Sequence, residues 1–364
     1  MALATVAFIR GAAWDLHPYA LSQYAYTYEE GFLIRALTGH ITFALCGEDW
    51  QAAGQFASFF GWVGAGLFFF SFFYAIRKIE WFRNPRTTLV LVLVTSGPLF
   101  VSIGATRGYF DGLIFGMGLL SWTLFDRGRY LFPLAILALA VFIHELVAVY
   151  FLPLFAFSIL LKIKDENAKT TLRRIGVVLA VVALVFTVVF QGKATETQIT
   201  YLAEKMARSK PEFSDGWRRY EKMGMAAAKQ SVLKEIKLRR IKNLFKRKAN
   251  RPYLITSFFI LLIIITGLYN KPLMAISALL VTLSPLLILL VAWDVDRFLS
   301  LLTMVGAFTA GYAAQFIRPR TAYVLSLPIL LVSLCQLTIK YSTITQYAKS
   351  NTVLDHLLAL IGIG

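Results

Sequence analysis

Sulfur and negative charge are both scarce in this chain. Only two of its 364 residues are cysteine, Cys46 and Cys335, far apart in sequence, which argues against a disulfide framework and a cysteine-based metal site. Asp and Glu number 20 against 37 Lys and Arg, and charged residues together make up 16%, well short of the roughly 25% usual in soluble domains. The strand pattern of alternating apolar and polar residues is missing as well, which leaves helices as the means of satisfying backbone groups in lipid. The N-terminus, MALATVAFIRGAAWDLHPY, places Arg10 behind a short apolar patch rather than basic residues ahead of a cleavable core, so no signal peptide is expected.

What the chain has instead is apolar surface: 58% hydrophobic residues and a mean hydropathy of +0.65. Windows long enough for the roughly 17–25 helical residues of a membrane span lie near 54–76, 87–106, 172–190, 253–270, 273–293, 298–316 and 321–339. Shorter or irregular windows lie at 112–125 and within 130–161. The expected fold is all-α, a polytopic transmembrane helix bundle of about 8–10 spans. Residues 1–53 are expected to form an extracytoplasmic N-terminal segment with an interfacial helix, and 54–190 the first half of the spans. Residues 191–252 would be one long basic amphipathic loop, 253–340 the second half of the spans, and 341–364 an amphipathic tail.

Lys and Arg in short connections mark the cytoplasmic side. RKIEWFRNPR (77–86) and DRGRY (126–130) therefore face inward, and RGYFD (107–111) faces outward. Residues 130–161 would be about 48 Å long as one helix, against a hydrocarbon core of about 30 Å. Two short segments that turn at His144–Glu145 fit better, because they return the basic loop 162–174 to the cytoplasm. That topology brings Glu29, Glu30, Arg107, Asp111, His144, Glu145, Asp294, Asp296 and Arg297 to one face. It also puts 192–252 outside, although that stretch holds 17 Lys or Arg against six acids, a net +11 of the chain's +17. Within it, KQSVLKEIKLRRIKNLFKRK (229–248) gathers Leu233, Ile236, Ile241, Leu244 and Phe245 on one helical face among cations. Such a helix lies on anionic head groups, either as an anchor or as a basic rim where Lys237, Arg239 and Arg240 collect a phosphorylated lipid. The basic excess is thus assigned to anionic lipids, not to nucleic acid.

Four constellations could carry chemistry. His144 and Glu145 interrupt the apolar run AVFIHELVAVYFLPLF, and no HExxH follows them, so no metal motif is present. Their reading is either a carboxylate paired with an Arg of another helix or a general base in a crevice, where desolvation tunes it. In RGYFDGLIFGMG (107–118), Arg107 and Asp111 stand at i, i+4 and are expected to pair. There Gly112, Gly116 and Gly118 permit close helix contact that draws Asp111 inward. WDVDRF (293–298) offers Asp294, Asp296 and Arg297, a set able to orient a sugar hydroxyl and bind a diphosphate. In YTYEEGFLIRALTGHI (26–41), Phe32, Leu33, Leu37 and Ile41 share a face, which predicts an interfacial helix with Glu29, Glu30 and Arg35 near its start.

Taken together, YEEGFLIRALTG, RGYFDGLIFGMGLLSW, IHELVAVYFLPLF and DVDRF resemble bacterial integral membrane proteins of exopolysaccharide and O-antigen assembly. These are polymerase-like relatives of the GT-C glycosyltransferases, and the likeness is spread over most of residues 26–300. The resemblance implies a multi-pass protein of the bacterial inner membrane that uses a polyprenyl (di)phosphate-linked sugar lipid and a glycan acceptor at the periplasmic face. The expected reaction moves a sugar to an acceptor hydroxyl, with Glu145 or Asp111 as base and Arg107, Arg297 and loop cations on the departing phosphate. No cofactor is expected, and a divalent metal is left open without a ligand motif. The rival expectation is a proton-coupled transporter or lipid flippase working through His144–Glu145.

Overall fold

The computed structural model describes residues 8, 21, 23–32, 35–94, 99–105, 110–191, 195–209, 251–286 and 295–338, and every regular element among them is helical. In chain order these are α1 (Ala36–Cys46), α2 (Trp50–Lys78), α3 (Pro85–Val94), α4 (Phe100–Ala105), α5 (Asp111–Asp126), α6 (Leu131–Ile143), α7 (Leu146–Lys162), α8 (Ala168–Gln191), α9 (Glu196–Ala207), α10 (Arg251–Leu268), α11 (Pro272–Leu283), α12 (Val295–Ala314) and α13 (Pro319–Thr338). Short 3-10 turns lie at Gln23–Ala25 and Glu80–Arg83. Among the described residues, three helices are long and apolar enough to cross a membrane: α2, the Ala168–Val189 part of α8, and α10. The chain divides into two compact units, one of α1, most of α2 and α5–α9, the other of α3, α4 and α10–α13.

The first unit is organised by small residues. A Cβ on Gly112 would lie 3.0 Å from the Ala65 nitrogen, and one on Gly116 2.7 Å from the Phe68 nitrogen. Backbone therefore meets backbone along α2 and α5, which run parallel. The indole Nε1 of Trp122 donates to Ser158 Oγ at 2.8 Å, and Phe115 meets Tyr150, so α7 also runs parallel to α5. Helix α6 runs the other way, with Ser121 Oγ donating to the Pro133 carbonyl at 2.8 Å. Helix α8 follows α6, its first turns fixed by Arg174. That guanidinium, 1% exposed, donates to both Glu166 oxygens at 2.7 Å and to the carbonyls of Phe125 and Asp126. It stabilises the carbonyl end of α5, where cations are favoured. The chain thus reverses at His144–Glu145, and residues 130–161 are two antiparallel helices.

The second unit is built around α12, nearly all of whose described side chains are buried from Leu302 to Ala314. Thr87 donates to the Gly311 carbonyl at 2.8 Å, Thr282 and Thr309 share a hydrogen bond of 2.7 Å, and Phe82 stacks on Phe308. Within 87–106, expected as one span, α3 runs to Val94 and α4 starts at Phe100, with 95–98 outside the described residues.

One local expectation is overturned. The helix expected over 26–41 begins only at Ala36, because Arg35 adopts a left-handed backbone (φ 67°) and residues 26–32 form an irregular segment with a turn. Glu29 and Glu30 therefore lie on that turn, not on a helix. Helix α5 starts at Asp111 behind a left-handed Phe110 (φ 65°), and the expected Arg107–Asp111 pair falls partly outside the described residues. Arg107 itself lies outside the described residues.

Candidate functional site

The apolar run of α6 ends because His144 is extended (φ −162°, ψ 115°), and Glu145 then holds the position before α7 without a side-chain capping bond. His144 is buried at 1% exposure. Arg35 reaches Glu145 across 110 residues of sequence: Nε donates to Oε2 at 3.0 Å and Nη2 donates to Oε1. Both carboxylate oxygens are thereby engaged in a two-pronged, charge-assisted contact. His144 Nδ1 lies 3.3 Å from Glu145 Oε2 and also 3.3 Å from the Leu146 amide, so one ring atom has two partners and its protonation selects between them.

Asp111 is buried at 2% exposure in the first turn of α5. The packing of Gly112 on Ala65 places it some 15 residues down α2 from Trp50, which is about 20 Å along the helix axis. Asp111 and the His144–Glu145 turn thus lie at one end of the short helices, recessed well below the tip of α2. Among the described residues the non-glycine positions with positive φ are Arg35 and Phe110, both next to this recess. Left-handed backbone costs an ordinary residue about 1–2 kcal/mol, and strain of that kind gathers at working sites.

Above the recess, α1, α9 and the 23–32 segment form a cap. Ala25, Tyr26, Ala36, Ala53, Leu202 and Met206 make its buried core. Thr195 and Gln198 form a capping box at the start of α9, and Gln198 Nε2 also donates to the carbonyls of Glu30 (3.0 Å) and Phe32 (3.3 Å). One side chain therefore caps the helix and fastens it to the turn. The cap borders a half-open cavity of about 460 Å³ between α1 and α9. Its walls are Phe43, Trp50 and Tyr201, with His40, the carboxylates of Glu48 and Glu204, and the cations Lys205 and Arg208.

Glu29 joins the turn to α9, accepting from Lys205 at 2.7 Å, from Thr27 at 2.7 Å and from Tyr201. Lys205 in turn lies 3.7 Å from the centre of the Phe43 ring. Burial by itself raises the Glu29 carboxyl, but the Lys205, Tyr201 and Thr27 hydrogen bonds prevail and bring it down to about 2. A carboxyl depressed on folding stabilises the fold above its ordinary value of 4.5 and loses that contribution as pH falls towards 2. The Glu29 side chain is 46% exposed, so solvent screens the effect and confines it to the cap. Corrected amide exchange over 196–207 is expected to speed up between about pH 5 and pH 2. In Glu29→Gln, exchange should already be fast at neutral pH and respond little to acid.

The structure gathers Glu145, His144 and Arg35 into one cluster, and Asp111 lies at the same end of the short helices. Glu29 belongs to the cap, and Glu30 contributes its carbonyl there. Asp296 and Arg297 fall in the first turn of α12, but their side chains are outside the described set. Asp294, Lys237, Arg239 and Arg240 lie outside the described residues altogether. Among the described residues, no group of three His, Cys, Asp or Glu is placed to hold a metal ion. No family model, curated protein or solved structure matches the chain.

Lys205, Tyr201, Trp50 and Glu204 escaped the sequence reading. One signal was available, the TETQ stretch at 195–198, which has the Thr-x-x-Gln spacing of a capping box. It marks a helix inside what the charge count made a loop.

Proposed function

We propose that the protein is a multi-pass glycosyltransferase of a bacterial inner membrane, moving a sugar from a polyprenyl (di)phosphate carrier to a glycan hydroxyl at the periplasmic face. The observation that carries this reading is the recessed charged turn. Measured from the Asp126–Arg129 end as the cytoplasmic boundary, α5 and α6 rise only about 20–24 Å, short of a hydrocarbon core of about 30 Å. Arg35, Asp111, His144 and Glu145 then sit within the membrane thickness but beneath the cap, where charged groups persist for function.

In this reaction the acceptor oxygen attacks the anomeric carbon. The bond from that carbon to the phosphate oxygen breaks, and the phosphate leaves with the electron pair. Arg35 suits the phosphate because its planar fork binds two oxygens at once. When the donor phosphate takes Arg35, Glu145 is released from its clamp and is free to accept the hydroxyl proton, with Asp111 as the other carboxylate of the recess. The aromatic and carboxylate walls of the cap cavity supply stacking surface and hydrogen-bond acceptors for the sugars.

Purified protein in proteoliposomes, given polyprenyl-phosphate-linked and polyprenyl-diphosphate-linked sugars with a glycan acceptor, should consume the donor and lengthen the acceptor. Loss of donor from neither carrier class, from protein that melts cooperatively, would overturn the proposal.

A further inference from the structure

A second feature lies at the opposite end of the first unit, away from the recess and cap. The first turn of α6 and the second and third turns of α8 leave a groove of about 450 Å³ between Tyr130, Leu131, Leu134, Arg173, Gly176 and Val177. Gly176 borders open space there: a Cβ on it would meet nothing within 4 Å. The walls are aliphatic, and Leu131 is 81% exposed at the edge. Its lining includes an exposed cation, Arg173, and the aromatic residue Tyr130. Arg174 next door is wholly engaged by Glu166 and the end of α5, so Arg173 is the arginine of this pair that faces outward. The groove runs along α8, whose Ala168–Val189 stretch is apolar and long enough to cross a membrane.

An apolar groove beside a membrane-length helix, with an exposed arginine in its lining, matches the two chemistries of an anionic phospholipid. We propose that this groove holds one acyl chain of such a lipid while Arg173 and Tyr130 bind its phosphate. It differs from the general shell of lipid in two ways: it is selective for negative charge, and its occupancy depends on the space above Gly176. The inference needs the membrane location but not the glycosyl transfer.

The test is native mass spectrometry of the full chain, reconstituted in nanodiscs of equal parts phosphatidylglycerol and phosphatidylcholine and released into mild detergent. Wild type should retain phosphatidylglycerol in preference to phosphatidylcholine. Gly176→Phe, whose Cβ meets nothing within 4 Å, puts an aromatic ring into the groove and should lose the retained lipid of both kinds. Arg173→Gln should keep the slot but lower the preference for phosphatidylglycerol about fivefold, the factor expected for one cation at an anionic surface. Lys164→Gln, an exposed cation in the α7–α8 connection away from the groove lining, should leave both unchanged. Equal retention by wild type and Gly176→Phe, or an equal loss of preference in Arg173→Gln and Lys164→Gln, would overturn the proposal. Melting temperatures measured in parallel show that each variant is folded.

Discussion

Glu145→Gln is expected to lower glycosyl transfer by about 10²–10⁴-fold, the range lost when a general base is removed. The amide keeps the shape of the carboxylate and can still accept from Arg35, so the turn between α6 and α7 should survive and the purified protein should melt cooperatively. It cannot take up the acceptor proton. The loss should therefore fall on kcat with little change in KM for the donor, because the interaction removed belongs to the transition state. Arg35→Lys should behave differently. It keeps one charge but loses the two-pronged grip that prepares the site for a phosphate, so the donor KM rises as well. Wild-type turnover by Glu145→Gln would leave Glu145 a partner of Arg35 alone and make Asp111→Asn the variant expected to fail.

Much of this site is legible in the sequence one element at a time, and little of it is legible between elements. The excess length of 130–161 foretells a reversal at His144–Glu145, because a membrane has a fixed thickness and a helix a fixed rise. The glycines at 112 and 116 announce close packing and, with it, a buried Asp111. What no local pattern supplies is the partner. Arg35 meets Glu145 from 110 residues away, and Lys205 meets Glu29 from 176. Periodicity also misleads at 26–41, where the apolar spacing of a helix is present but the backbone turns left-handed at Arg35. The left-handed residue is the one that holds Glu145, and tertiary context commonly overrides local propensity. Charge counting misleads over 192–252 for a related reason. A net +11 describes the stretch as a whole, whereas residues 195–206 bury Gln198, Leu202 and Met206 against the cap.

The Arg35–Glu145 pair also carries a prediction on stability. Its side chains are 23% and 13% exposed, so each charge depends on the other for the hydration it has lost. Arg35→Met leaves Glu145 with only His144 beside it, and Glu145→Leu leaves Arg35 without its carboxylate. Each alone is expected to cost about 3 kcal/mol, the low end for a half-broken buried pair because both groups retain some solvent. The double variant Arg35→Met with Glu145→Leu should recover most of that loss, since an apolar replacement of the whole pair leaves no charge uncompensated. Arg35→Gly adds an independent check on the backbone. It also strands Glu145, but it relieves the left-handed conformation and should therefore be about 1 kcal/mol less damaging than Arg35→Met. Thermal unfolding in detergent, read as a double-mutant cycle, gives the coupling directly. Strictly additive losses in the double variant would mean that the two residues are coupled by proximity only, and that the recess does not need its charges to hold its shape.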